Sequence, residues 1–322
     1  MINYYEDFEL APGVVIKFYD AGHIFGSVFI EIRAEGKKIV FSGDIGNVNV
    51  PILRETDPLP ENLDAAVCES TYGDRLHESQ ETRAQIIETI VTEAIERGGV
   101  LMIPSFSLER TQELIYDLND LIDRKHLLPR VPIYLDSPLA IRAIEVYRKY
   151  PAYYDEEADK FFRSGDDLFQ FPGLKLSSTK EDSMLINDAP GPKIIIAGSG
   201  MMNGGRIMHH AQRYLSKRKN TLLIIGYQAN GTLGRKILEG QNPVSVDGTI
   251  VPVNCQVKAI GALSAHGDQK KLLNWLGGGK NLPKKVYLNH GEQEGSAALQ
   301  KMLTENIGIK TEVVSPGLTV EV

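Results

Sequence analysis

Short apolar runs separated by turn residues dominate the first seventy positions. Val14–Lys17, Ser27–Arg33, Lys38–Ser42 and Ala65–Cys68 predict strands, with Glu35-Gly36 as a hairpin turn. Further along, the period changes. Ile86, Ile87, Ile90, Val91 and Ile95 recur at helical spacing between Ser79 and Arg97, and Gly98-Gly99 closes that helix. The pattern then cycles through strand Val100–Pro104, helix Leu108–Arg124, strand Val131–Leu135 and helix Pro138–Lys149. It resumes with strand Lys193–Ala197, helix Gly205–Leu215 and strand Thr221–Gly226. Strands alternating with helices predict βαβ units on a parallel sheet. Between them, Pro151–Ser183 is polar and dotted with Tyr153, Tyr154, Phe161, Phe162, Phe169 and Phe171, which predicts irregular helix plus loops. After Val244 hairpin strands return, followed by a helix over Gln269–Leu276.

With 322 residues and 42% hydrophobic content, the chain can bury a large core and divide into two domains. A net charge of -7 excludes a globally basic nucleic-acid coat, yet leaves room for a local basic cleft. Cys68 and Cys255 lie in apolar runs and form no Cys-x-x-Cys pair. They read as core thiols in a reducing cytoplasm rather than a disulfide framework or cysteine zinc site. The N-terminus has no basic stretch followed by an apolar one, and no apolar run reaches membrane-spanning length. Neither secretion nor a membrane partner is expected.

The candidate chemistry sits where strands end. His23 in Ala21-Gly22-His23-Ile24-Phe25-Gly26, Asp44 in Ser42-Gly43-Asp44-Ile45-Gly46, His266 in Ser264-Ala265-His266-Gly267 and His290 in Asn289-His290-Gly291-Glu292 share one setting, a small residue, then His or Asp, then a glycine-rich exit. Each histidine taken singly is more often packed or hydrogen-bonded than a ligand. Their co-occurrence points to a hydrolytic zinc site, because imidazole and carboxylate at strand ends are what such sites are built from. Glu69, in Cys68-Glu69-Ser70-Thr71-Tyr72-Gly73, adds a carboxylate that in isolation reads as a surface acid beside a helix cap.

Two glycine-rich turns suit an anionic ligand. Gly198-Ser199-Gly200-Met201 leads from a strand into a helix, where backbone amides can hold a phosphate. Gly226-Tyr227-Gln228 leads to Arg235, able to grip a phosphate in a bidentate way. A tight structural turn accounts for either equally well. Ser107 reads as a helix cap, with Phe106 placed to stack on a base and Arg110 to meet a phosphate; a staple and a surface salt bridge are the plain alternative. His209-His210 lies on a helix, where neighbours face different directions, and takes no metal.

Together these motifs resemble the β-CASP branch of the metallo-β-lactamase superfamily, RNA-processing nucleases, over nearly the whole chain from Val14. The third and fourth metal motifs look like Gly22-His23 and Ser42-Gly43-Asp44, motif A like Glu69-Ser70-Thr71-Tyr72-Gly73, motif B like Ser264-Ala265-His266 and motif C like His290-Gly291-Glu292. Pro104-Ser105-Phe106, Tyr134-Leu135-Asp136-Ser137-Pro138, Gly198-Ser199-Gly200-Met201 and Gly226-Tyr227-Gln228 look like the inserted domain. The family's His-x-His-x-Asp-His motif does not occur in this sequence.

The resemblance implies an α/β fold: a metallo-β-lactamase αββα sandwich truncated at its N-terminus, with an inserted β-CASP domain of parallel sheet flanked by helices. Residues 1–76 and 251–322 are expected to form the lactamase part and 77–250 the insert. It further implies two zinc ions bridged by Asp44, with His23 on one and His290 on the other, and phosphodiester hydrolysis by a metal-bound hydroxide. Glu69 and His266 would lie beyond the ligands, orienting the site or protonating the leaving 3′ oxygen. Ser199, Gly200 and Tyr227 would hold RNA phosphates.

Counted so, each zinc keeps two protein ligands, fewer than the three a catalytic site needs, and the chain is expected to be inactive alone. An apolar sheet face is expected to lie uncovered and to pair with a separate N-terminal half or in a homodimer. A metal-free RNA-binding module is the second reading. A small-molecule metallohydrolase ranks last, because such relatives lack the inserted domain.

Overall fold

The computed structural model describes residues 2–78 and 80–322, which separate into two compact units, 1–77 with 265–322 and 78–264.

The first unit is built on a seven-stranded sheet. Its strands are β1 (Asp7–Ala11), β2 (Val14–Asp20), β3 (Val28–Ala34), β4 (Lys37–Phe41) and β5 (Ala65–Glu69), joined by β14 (Val286–Asn289) and β15 (Thr311–Val313) in spatial order β1-β2-β3-β4-β5-β14-β15. Glu35 and Gly36 both take positive φ, 52° and 74°, the geometry of the two-residue turn that matches strand twist. Beyond β4 the pairing becomes parallel, β4 with β5 and β5 with β14. Consequently β2, β4, β5 and β14 all run the same way, and their carboxyl ends share one end of the sheet.

Helices α8 (Gln269–Gly277) and α9 (Gln293–Met302) cover one face of this sheet. There Phe29, Val40, Ala66, Cys68, Val286 and Leu288 meet Leu272, Trp275, Leu276 and Leu299 in a buried cluster. The opposite face is also apolar, because strand side chains alternate and both registers carry hydrophobic residues. One cross-strand row is Phe8, Ile16, Ile32, Ile39 and Ala65; the next is Phe18, Ile30, Phe41, Val67 and Tyr287. Ala65 and Tyr287 are buried, whereas Phe8 and Phe41 each remain 42% exposed.

The second unit holds a six-stranded, wholly parallel sheet, order β13-β10-β6-β9-β7-β8, composed of β6 (Val100–Pro104), β7 (Ile133–Asp136), β8 (Leu174–Leu176), β9 (Lys193–Ala197), β10 (Thr221–Ile224) and β13 (Gln256–Ala259). Its central strands β6, β9, β7 and β10 are buried at every position, as expected of a parallel sheet covered on both faces. Helices α1 (Gln80–Glu96), α2 (Arg110–Asn119), α3 (Pro138–Lys149), α4 (Glu156–Arg163), α5 (Lys180–Leu185), α6 (Arg206–Tyr214) and α7 (Leu233–Leu238) connect the strands, with the hairpin β11 (Val244–Val246) and β12 (Thr249–Val251) following α7.

Several elements depart from the sequence reading. Ser79, the expected helix start, lies outside the described residues. The first strand is β1, ahead of Val14; Phe8 and Leu10 alternate with Glu9, but every residue of this edge strand is exposed and none is fixed by a core. Strand β8 occupies a stretch read as irregular helix plus loops. Residues 251–264, read as a return to the first domain, carry β13, which pairs with β10 and therefore belongs to the second unit. Ser107 does not cap α2: the helix starts at Arg110, Glu109 in the capping position has φ of 64°, and the Ser107 hydroxyl lies 3.1 Å from that of Ser137. Helix α2 also ends at Asn119, and the stretch to Arg124 widens into a π-turn.

Candidate metal centre and phosphate turns

His23, Asp44, Glu69 and His290 follow or end β2, β4, β5 and β14, so the sheet delivers four side chains from distant positions to one place. Glycine permits the close approach of these loops. A Cβ on Gly46 would stand 1.8 Å from the Gly22 carbonyl oxygen, and one on Gly291 would stand 2.5 Å from the Ser70 carbonyl oxygen. His290 itself takes φ of 47°, an uncommon conformation for a side-chain-bearing residue and one concentrated at functional sites.

Asp44 lies between two imidazoles. Its Oδ2 is 3.6 Å from His23 Nε2 and its Oδ1 is 3.1 Å from His290 Nδ1. His266 joins through a bridge between its backbone and that of Gly46, flanked by hydrogen bonds from Gly267 N to the Ile45 carbonyl (2.7 Å) and from Asn47 N to the Ala265 carbonyl (2.9 Å). Its ring centroid stands 4.5 Å from that of His23 and 5.9 Å from that of His290. Two overlapping donor groups result, His23 with Asp44 and His266, and Asp44 with Glu69 and His290; within each, ligand atoms lie within 4.8 Å of one another. His266 therefore stands within ligand reach of the His23–Asp44 pair, where the sequence reading counted two donors.

Glu69 is fully buried, and its carboxylate is occupied. Its Oε1 accepts from Ile45 N at 2.6 Å, and both oxygens accept from His266 Nδ1, at 3.1 and 3.0 Å. Burial acts to raise its pKa, yet the charge and hydrogen bond of His266, with those from Thr71 and the Ile45 amide, hold it below the ordinary carboxylate value. Since a carboxylate only accepts, His266 carries its proton on Nδ1 and turns Nε2 toward the site.

In the second unit, the carboxyl ends of β6, β7, β9 and β10 share one end of the parallel sheet, the usual place for a ligand. The turns after β9 and β10 are laced together. Gln228 Nε2 donates to the carbonyls of Gly200 (2.9 Å), Gly226 (3.1 Å) and Tyr227 (3.0 Å), and Gly234 N donates to the Met201 carbonyl at 3.2 Å. Phe106, 38% exposed, rests against Gly200, where a Cβ would come within 2.5 Å of its ring. The Ser199 hydroxyl accepts from Asn203 N at 3.0 Å, and Tyr227 is half-buried. Ser199 and Tyr227 are thus half-buried in these turns, and Gly200 is buried against Phe106.

Arg110 does not join these turns as expected, whereas Arg235 stays half-exposed. Arg110 is 2% exposed, paired with Glu113 and donating to the Leu263 carbonyl at 2.6 Å, so its charge is spent inside the unit. Arg235 pairs with Glu239 at 2.6 Å on the next turn of its helix. His210, placed on a helix without a metal, packs its Nε2 2.8 Å from Asp136, which also receives Ser183 Oγ at 2.6 Å and Arg206 at 2.6 Å. Burial acts to raise the Asp136 pKa, but these three donors keep it low.

The free thiols of Cys68 and Cys255 are buried, and burial pushes the Cys255 thiol up to about 11. Among the described residues, no helix is long and apolar enough to cross a membrane.

Comparison with known proteins gives a consistent result. Residues 111–237 match the Beta-Casp domain, and residues 250–314 match a domain described as the Zn-dependent metallo-hydrolase RNA specificity domain. A ribonuclease of Thermus thermophilus is 40% identical over 289 residues, covering 89% of this chain and 65% of its own length. An RNase J-like protein of Methanocaldococcus jannaschii is 34% identical over 317 residues, 97% of this chain and 72% of its own length. A transcription termination factor FttA of Methanosarcina mazei is 28% identical over 324 residues, covering 98% of this chain and 50% of its own length. The chain thus spans between half and about three-quarters of these relatives.

Proposed function

Because this chain belongs to the β-CASP family of metallo-β-lactamase nucleases, we propose that it carries part of a zinc-dependent site for hydrolysing RNA phosphodiesters. In this reading, residues 1–77 and 265–322 belong to the lactamase-type domain and 78–264 to the insert. The observation that carries the proposal is the placement of Asp44, one carboxylate oxygen toward His23 and the other toward His290. This donor set suits zinc, which takes imidazole nitrogen and carboxylate oxygen. His23, Asp44 and His290 would hold it; when bound, zinc supplies Lewis acidity toward a phosphoryl oxygen and lowers the pKa of water.

The chain's own residues supply the rest. Buried, ionised Glu69 fixes His266 as the Nδ1–H tautomer. In hydrolysis a water oxygen bonds to phosphorus as the P–O3′ bond breaks, and His266, when it carries a second proton on Nε2 against the Glu69 charge, delivers that proton to the departing 3′ oxygen and returns to the Nδ1–H form. Ser199, Gly200 and Tyr227 receive backbone phosphates, and Phe106 offers a face on which a base stacks.

With His266 kept for proton delivery and the Glu69 carboxylate taken up by His266 and the Ile45 amide, His23 with Asp44, and Asp44 with His290, leave two donors to each of two ions. We therefore expect weak zinc binding and little cleavage from this chain alone, and both to rise when a second polypeptide adds donors. The test measures bound zinc and cleavage of a single-stranded RNA, for the chain alone and mixed with the N-terminal half of a close relative. Zinc uptake and cleavage in the mixture, both lost in Asp44→Ala, support the proposal. A mixture that forms a complex but takes up no zinc and leaves the RNA intact overturns it.

A further inference from the structure

The loop that follows Glu69 is fastened to the loop that carries His266 by contacts the candidate chemistry does not explain. His77 Nε2 lies 3.1 Å from the His266 carbonyl oxygen, and His77 N donates to Asp268 Oδ2 at 3.2 Å. Gln269 N donates to the Arg75 carbonyl at 3.1 Å, Gln269 Nε2 donates to the Gly73 carbonyl at 2.6 Å, and Tyr72 bridges Asp268. The His77 ring stands edge-on to Tyr72, centroids 4.6 Å apart at 80°, and Tyr72 in turn faces His266 at 6.3 Å. A carbonyl oxygen only accepts, so His77 must carry a proton on Nε2 to make its bond.

We propose that His77 is a positioning residue for His266: its imidazole anchors the His266 backbone while Glu69 anchors the His266 side chain. The Gly46 bridge holds Ala265 and Gly267 on either side of His266 and leaves its own carbonyl to His77; without that bond the imidazole could pivot about its hydrogen bond to Glu69 and still satisfy it. Held also at its carbonyl, it is fixed in direction, and a general acid misplaced by even an ångström loses much of its effect. In this role His77 acts through the His266 backbone rather than on substrate. The inference rests on the proposed role of His266 in proton delivery.

Two substitutions separate the hydrogen bond from the packing. His77→Phe keeps an aromatic ring against Tyr72 and removes the donor; His77→Gln restores a donor without the ring. NMR of imidazole-labelled protein reads the Nδ1 proton of His266, held by Glu69, with no metal or RNA present. In His77→Phe this proton should exchange with water at least tenfold faster than in the parent, and His77→Gln should recover most of the protection, with both variants matching the parent in circular dichroism. In the zinc-loaded mixture with the N-terminal half of a relative, His77→Phe should lower kcat about tenfold with KM unchanged.

Equal protection of the His266 proton in parent and His77→Phe overturns the inference, whatever the activity. If the parent mixed with the N-terminal half of a relative forms a complex yet neither takes up zinc nor cleaves, the functional proposal fails by itself, and the proton-exchange comparison on the chain alone still decides the place of His77.

Discussion

Glu69 and His266 stand 197 positions apart in sequence, and His266 Nδ1 lies 3.0 Å from Glu69 Oε2. The pair is asymmetric: Glu69 is sealed from solvent at the end of β5, whereas His266 keeps part of its ring open toward Asp44 and His23. One member sets orientation and charge; the other can act.

Replacing Glu69 should separate those contributions. Glu69→Ala strands the Ile45 amide as well as His266, and a buried donor left unsatisfied costs roughly 1–3 kcal/mol. We expect a lower urea midpoint for Glu69→Ala and a smaller loss for Glu69→Gln, whose carbonyl can still accept. Equal midpoints for the two variants would contradict the assignment of the Ile45 bond.

Zinc content and catalysis should respond differently to neighbouring residues. In the zinc-loaded mixture with the N-terminal half of a relative, Asp44→Ala should lose metal and activity together. His266→Ala should keep its metal content while kcat falls about 100-fold or more, the scale of a general acid. Metal analysis beside single-turnover kinetics reads both. Loss of zinc in His266→Ala would make His266 a ligand, the other role its 4.8 Å donor group allows.

Asp20 gives a pH signature. Burial, reinforced by the nearby charge of Asp57 against the opposing Gly22 hydrogen bond, lifts its pKa from 3.8 to about 6. A folded pKa raised above the unfolded value stabilises the fold fully below pH 3.8, and that stability is lost as pH rises through about 6. Asp20→Asn carries no such loss. Its advantage over the parent in urea unfolding should be small at pH 4, grow through pH 5, and level off above pH 6 at about 2 kcal/mol after allowance for partial exposure. An advantage independent of pH would rule this out.

The apolar rows of the first unit predict association. Phe41, 42% exposed between Ile30 and Val67, presents a ring to solvent in the middle of its row. Sedimentation should give a mass above that of one chain at micromolar concentration, and Phe41→Glu should shift it toward one chain. A parent that sediments as one chain and does not bind an apolar dye would show the face to be closed by other means.

Much of this was legible locally. The strands Val100–Pro104 and Lys193–Ala197 and the helix Pro138–Lys149 end where periodicity and turn residues place them, because a buried parallel strand is a continuous apolar run and a proline opens a helix in its first turn. The residues His23, Asp44, Glu69, His266 and His290 were visible through their shared strand-end setting. His77 was not: a single histidine in a polar turn carries no period, and the residues it hydrogen-bonds, Asp268 and His266, lie 191 and 189 positions away in sequence. Arg110 misled for the opposite reason. Its position in a first helical turn suits an exposed cation, and only the packing of α2 encloses it with Glu113 and the Leu263 carbonyl.

The sequence by itself determined the kinds of element and the chemistry waiting at their ends, since both depend on neighbours within a few residues. Tertiary structure decided which ends meet. Strand β14 enters parallel beside β5, and that pairing of segments more than two hundred residues apart sets His290 against Asp44. Nothing local could state it, because sheet order follows from the burial of whole apolar faces, summed over strands, rather than from the pattern of any one.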